Sequence, residues 1–289
     1  MLKRLQFLTS GESHGKGLLG ILDGLPAGIE ISEEYIDHQL KRRQMGHGRG
    51  GRMKIEKDHA QLWGGVRHGL TLGSPVGILI DNLDWKNWTK KMSVEPIQEK
   101  VKPVTLPRPG HADLAGVHKY GFGDIRNILE RSSARETTMR VALGSVCRKL
   151  LEDVGIYIGS RVIQIHNVKD ESNYKLTPDA MNERADISPV RCLDGNAEKE
   201  MINVIDDAKK AGDSVGGVFE VIATGVPYGL GSYTQWNNKL QARISTMMMS
   251  INAFKGIEIG SGFKSASQFG SNVHDEIGYE NGKFTRHTN

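Results

Sequence analysis

Two short segments gather groups that move protons near neutral pH. Residues 11–15 read Gly-Glu-Ser-His-Gly and residues 110–113 read Gly-His-Ala-Asp, so His14 and His111 each adjoin glycine and lie near a hydroxyl or carboxylate. Imidazole is the only side chain whose unperturbed protonation falls in that range, and a glycine neighbour lets a ligand approach the ring without meeting a Cβ. A lone histidine in a turn is more often a structural hydrogen-bonding residue. Here Ser13 and Glu12 precede His14 and the pattern returns at 110–113, which favours a functional role. A cationic group accompanies them. Residues 41–54 carry Lys41, Arg42, Arg43, Arg49, Arg52 and Lys54 with no acidic residue. Guanidinium forks bind phosphate or carboxylate oxygens in pairs and stay charged at any working pH, so the set suits an anionic small molecule.

Other readings of the same residues are weaker. Taken alone, 41–54 reads as a solvated charged face followed by a Gly-Arg loop that binds RNA, but sequence-independent binders of single strands interleave aromatics, and this segment has none. The histidines show no His-Glu-x-x-His or clustered Cys/His spacing, so no metal site is expected. Ser13 beside His14 lacks the Gly-x-Ser-x-Gly elbow of a hydrolase.

These groups need a frame. Leu5 and Phe7, then Leu18 to Leu22, read as two short strands joined by the Gly11–Gly15 turn. Ser32 should cap a helix over 33–43, with Glu33 and Glu34 in its first turn and Ile36 and Leu40 buried, so that its C-terminus delivers the arginines. Gly77–Ile80 reads as a buried strand. Leu129, Met139, Leu143, Val146 and Leu150 predict one long helix over 125–152, ended by Gly155, with Arg131 to Glu136 near its start. Strands are expected at 156–165 and 217–223, with helices at 196–211 and 238–249. This order, without regular βαβ units, indicates an α+β fold.

The chain has 289 residues, a formal net charge of +4 and two cysteines, Cys147 and Cys192. The mild positive excess suits an acidic small molecule and does not require nucleic acid. Two distant cysteines make no disulfide framework and point to a reducing, cytoplasmic setting. Met1 to Leu5 open no apolar signal segment, and no apolar run approaches the roughly 20 residues that span a bilayer. With no linker or repeat visible, one continuous body over 1–289 is expected.

The motifs together resemble chorismate synthase, and in family order. The resemblance runs through Gly11–Gly15, Asp23–Gly28, Arg42-Arg43-Gln44 with Gly46–Arg49, and Arg108–Asp113 with Lys119-Tyr120. It continues through Arg131–Thr137, Gly212-Asp213-Ser214 with Gly216-Gly217, and Ser250–Ala253 with Lys255-Gly256. It implies a β-α-β sandwich of antiparallel sheets with helices packed between them. The implied activity is a lyase that eliminates phosphate from 5-enolpyruvylshikimate-3-phosphate to give chorismate with reduced FMN, NADPH being a candidate reductant and a homotetramer the expected assembly. Residue by residue, it implies that His14 protonates the departing phosphate, that Ser13, Arg43, Arg49, Arg108 and Arg135 bind substrate, and that His111 lies against the flavin and supplies a proton to it. Arg131, Ser132, Ser133, Asn252 and Ala253 would line the FMN site. The family also associates Arg43 and Arg49 with a nicotinamide cofactor; the absence of a dinucleotide fingerprint favours the substrate. Family members run past the equivalent of Asn289 into segments that complete the flavin pocket. That difference raises the alternative of a non-catalytic anion-binding or subunit-association form, with apolar surface exposed on strands near 217–223 and 254–263.

Overall fold

A computed structural model describes residues 4–51 and 55–286 of the chain; Arg52 and Lys54 of the basic run, and Met1 to Lys3, lie outside the described residues. The elements in order are β1 (Gln6–Ser10), β2 (Gly17–Asp23), β3 (Ala27–Glu30), α1 (Glu33–Gln44), β4 (Gln61–Gly64), β5 (Val66–Arg67), β6 (Leu70–Leu72) and β7 (Val76–Asp81). They continue with α2 (Asp113–Tyr120), α3 (Arg126–Leu129), α4 (Glu136–Asp153), β8 (Tyr157–Ile165), β9 (Val168–Lys169), α5 (Pro178–Ile187), α6 (Gly195–Lys210) and β10 (Gly217–Thr224). Last come α7 (Leu240–Met249), β11 (Ile277–Glu280) and β12 (Lys283–Arg286). The chain divides into two compact units, Leu2–Tyr228 and Gly229–Asn289.

In the first unit an antiparallel sheet of order β1-β2-β7-β4 alternates buried and outward residues along its two central strands, β2 and β7. Leu18 and Leu22 of β2 and Val76, Ile78 and Ile80 of β7 point inward, while Leu19 and Ile21 point out. Each buried aliphatic side chain contributes roughly 1.5–3 kcal/mol, and a one-residue slip would turn the whole set to solvent. Helices α1 and α4 pack together and against this sheet through Ile36, Leu40, Met139, Ala142, Leu143 and Val146. Their approach depends on Gly20 in β2, where a Cβ would stand 2.4 Å from the Met139 sulfur. Helix α4 also touches β8 of a second antiparallel sheet, β10-β8-β9, against which α5 packs. Helix α4 thus lies between two antiparallel sheets, as expected of the sandwich. A smaller antiparallel sheet, β3-β6-β5, completes this unit. In the second unit α7 is followed by the β11-β12 hairpin.

The caps explain where helices begin. Ser32 accepts a hydrogen bond from the Tyr35 amide at 3.2 Å, and Thr177 and Asp194 cap α5 and α6 in the same way. Two expectations need correction. The helix predicted over 125–152 is two helices, α3 and α4, separated by residues 130–135. Apolar spacing persists across the gap, but the Ser133 hydroxyl accepts the Arg135 amide at 3.2 Å, and a serine that bonds its own backbone competes with the helix. Residues 254–263 form no strand; irregular backbone follows α7 and runs into a short 3-10 helix at Gly262–Ser267. Along β10, Val218, Phe219, Val221 and Ile222 are exposed.

Candidate active site

The turn between β1 and β2 carries His14, and its shape is set from both ends. Gly11 takes φ 100°, and a Cβ there would stand 2.3 Å from the Gly17 carbonyl oxygen, so no other residue fits without moving the strand. Buried Asn82, just past β7, donates from its side-chain amide to the Glu12 and Gly15 carbonyls at 3.0 and 2.8 Å. Its backbone amide donates to the Lys16 carbonyl at 3.0 Å. The turn is therefore fastened at three carbonyls to one residue some 70 positions later in the chain, which is why it presents its side chains in one arrangement.

His14 itself is gripped by Glu130, a carboxylate only 1% exposed at the end of α3. The ring Nδ1 lies 2.8 and 3.0 Å from the two Glu130 oxygens, and the His14 amide donates to the nearer one at 2.8 Å. The ring stacks on Trp88 at 3.9 Å between centroids. Trp88 is in turn held by Asp84, which accepts the indole N–H at 2.9 Å and lies 4.0 Å from His14 Nε2. One fifth of the imidazole remains accessible. Next to it, Ser133 donates its hydroxyl to the Ser13 hydroxyl at 3.1 Å, joining the first turn to the segment before α4.

The arginines divide into two kinds. Arg135 and Arg131 are committed internally. Buried Arg135 donates to Asn82 at 2.9 Å and to Asp58, and its guanidinium lies 3.6 Å from Glu56. Arg131 donates to the Thr9 and Gly11 carbonyls at 2.8 and 3.1 Å, tying the end of β1 to the serine segment. Arg43 and Arg49 are different. Arg43, at the end of α1, donates to Thr137 and to the Ala134 carbonyl, yet its buried Nη1 has no hydrogen-bond partner among the described residues, Asp58 being 3.7 Å away. Burial pushes its guanidinium down to about 10; Asp58 opposes this, while Arg135 and Arg49 nearby reinforce it. It is still cationic at neutral pH. Burial also lowers Arg49, on the glycine loop that follows. Arg42 turns the other way, to Asp186 and Asn182 of α5, so this basic run is no uniform solvated face.

The second histidine segment folds on itself. Arg108 clasps buried Asp113 through Nε and Nη2, both at 2.9 Å, and through its amide at 3.0 Å. That guanidinium holds the Asp113 carboxyl below the usual carboxylate range. Gly110 takes φ 71°, and exposed His111 bonds from Nδ1 to the Pro109 carbonyl at 2.9 Å. Ser132 lies between the serine pair and Arg131. Asn252 and Ala253 belong to the second unit, where Ala253 adopts φ 70°, a conformation that residues with a side chain hold only where the surroundings enforce it. Sequence reasoning missed Glu130, Asn82, Asp84 and Trp88. A signal existed for three of them: Asn82, Asp84 and Trp88 follow a buried strand as a polar and aromatic cluster. Among the described residues no group of His, Cys, Asp and Glu is placed to hold a metal ion, and no helix is long and apolar enough to cross a membrane.

A family model described as chorismate synthase matches residues 5–289. The chain belongs to the chorismate synthase family. The chorismate synthase of Listeria welshimeri is 53% identical over 290 residues, covering 99% of this chain and 74% of that protein. The chorismate synthase of Aquifex aeolicus is 53% identical, covering 100% of this chain and 75% of its own length. A crystal structure of chorismate synthase superposes with a TM-score of 0.83 at 44% identity, covering 100% of this chain and 79% of that one. Family membership, an enzyme's role in aromatic amino acid biosynthesis and a small anionic substrate thus agree with what the turns and arginines suggest.

Proposed function

We propose that the protein eliminates phosphate from 5-enolpyruvylshikimate-3-phosphate to give chorismate, with reduced FMN as cofactor and NADPH as its reductant, in a cytoplasmic homotetramer. The observation that carries the reading is the Ser13–Ser133 contact beside a held imidazole: it joins the turn assigned to substrate with the segment assigned to flavin. In the elimination a C–H proton leaves, its electron pair becomes part of a new double bond as the existing one shifts, and the C–O pair departs with phosphate. No net oxidation occurs.

The residues divide this work. Arg43 and Arg49 neutralise the oxyanions, the orphaned Nη1 of Arg43 being a donor in want of an acceptor. Arg108 contributes its charge from the clasp with Asp113. Arg135, through Asn82, holds the turn beneath the substrate. His14 gives the proton at Nε2 to the departing phosphate oxygen, and Ser13 hydrogen-bonds the substrate. The residues assigned to FMN, Arg131, Ser132 and Ser133, are consecutive between α3 and α4: the serine hydroxyls would bond flavin oxygens, and Arg131 braces the segment against the Thr9 and Gly11 carbonyls. Asn252 and Ala253 are assigned to the flavin by family membership. The reduced flavin, when bound, supplies electron density to the allylic carbon that loses phosphate. His111, fixed at Nδ1, offers Nε2 to exchange a proton with that ring. No observation favours the non-catalytic alternative.

The test is an anaerobic incubation of the protein with 5-enolpyruvylshikimate-3-phosphate and reduced FMN. Chorismate and phosphate should appear in equal amounts. Flavin binding with no phosphate above a protein-free control would overturn the reading.

A further inference from the structure

We propose that Glu130 is a positioning residue that fixes the tautomer and direction of the His14 ring, so that all proton exchange at this histidine runs through Nε2. The inference rests on the reaction proposed above. Three observations carry it. Both Glu130 oxygens lie within 3.0 Å of Nδ1, and one of them also accepts the His14 backbone amide, so ring and main chain are registered to a single carboxylate. That carboxylate is only 1% exposed, and His14 approaches it with two donors, the ring Nδ1 and the backbone amide. Trp88 fixes the remaining rotation by stacking on the ring face, and Asp84 holds Trp88.

An ionised carboxylate accepts hydrogen bonds and donates none, so Nδ1 must carry a proton in both the neutral and the charged ring. The proton that comes and goes is the one on Nε2. Without Glu130 the neutral ring is free to place its proton on Nε2, the wrong form for recovering a proton there, and to rotate about its side-chain bonds. The same logic governs histidines whose second nitrogen is oriented by a carboxylate in nucleophilic triads. Here the carboxylate comes from the segment beside the serine pair, so one short stretch, residues 130–133, both aims the acid and meets the substrate turn.

The experiment compares wild type with Glu130→Gln and Glu130→Ala by steady-state kinetics and by 15N resonances of the imidazoles in histidine-labelled protein. The neutral His14 ring should be protonated at Nδ1 in wild type and should lose that preference in Glu130→Ala. Expected kinetics are a kcat lowered at least about tenfold in both variants, with Gln the milder. The loss should not exceed the roughly 10²–10⁴ range of a general acid, and KM should stay within about twofold. Melting temperatures show whether either variant folds. A wild-type ring protonated at Nε2, or a folded variant with native kcat, would overturn the proposal. If the wild type releases no phosphate at all, the reaction fails, and the tautomer alone then decides whether Glu130 sets the ring.

Discussion

The two histidine turns look alike as sequence and are built in opposite ways. The Gly11–Gly15 turn is held from afar: Glu130, Asn82, Trp88 and, behind Asn82, Arg135 all come from other parts of the first unit. The Arg108–Asp113 turn is held from within, by a clasp five residues apart and a bond from His111 to the carbonyl two residues before it. The first gives a partly covered ring with one fixed nitrogen, suited to acting on a substrate held in place. The second gives an exposed ring that is free to meet a bound cofactor. The glycine-histidine pattern alone does not tell the two turns apart; their partners do.

The contrast can be broken at the distant scaffold first. Arg135→Met removes the nearest cation from buried Asp58 and Glu56, leaving Asp58 only the more distant Arg43 at 3.7 Å, and breaking a buried pair this way costs roughly 3–5 kcal/mol. Urea unfolding should show that loss, and a change under about 1 kcal/mol would mean the first turn does not depend on this hub. Arg49 then tests which loop holds substrate. Arg49→Ala should weaken substrate binding by roughly 1.5–3 kcal/mol in titration calorimetry, with partial recovery in Arg49→Lys and little change in FMN affinity. An unchanged substrate constant would return that loop to solvent.

A third histidine gives a control for the carboxylate grip. His59 bonds Asp37 at the surface, and that hydrogen bond raises its pKa above the ordinary value. Stability from such a group is fully present below the unfolded value and is lost as pH rises through the folded one. Asp37→Asn should therefore destabilise more at about pH 5.5 than at about pH 9. Solvent screening keeps the pH-dependent part below about 1 kcal/mol. An equal penalty at both pH values would mean that only the Ala60 amide bond to Asp37 was lost. The smallest effect is expected for His111→Ala, whose stability should stay within about 0.5 kcal/mol of wild type, because its single bond is local and exposed. A larger loss would show that the second turn is not self-contained.

How much of this was legible follows the same division. Alternation in β2 and β7 and the Ser32 cap were readable because their causes are local. The Arg108–Asp113 clasp, five residues apart, is local in the same way. Glu130 was not, because its partner lies 116 residues away and a glutamate at a helix end looks like any solvated one. Arg135 was expected to bind substrate, and nothing near it in sequence announces its partners Asp58 and Glu56. The break between α3 and α4 was hidden by apolar spacing that continues through it, and α5 escaped notice although Thr177 and Pro178 form a usual helix start. Tertiary partners, not motifs, carried the missing information.

The central claim is that the ring held from afar protonates the leaving phosphate. The most direct measurement is the anaerobic rate of phosphate release by His14→Ala beside wild type, with saturating substrate and reduced FMN and with folding checked by melting. The account predicts a rate lower by roughly 10²–10⁴ in a protein that still melts cooperatively. A folded variant releasing phosphate at the wild-type rate would contradict it.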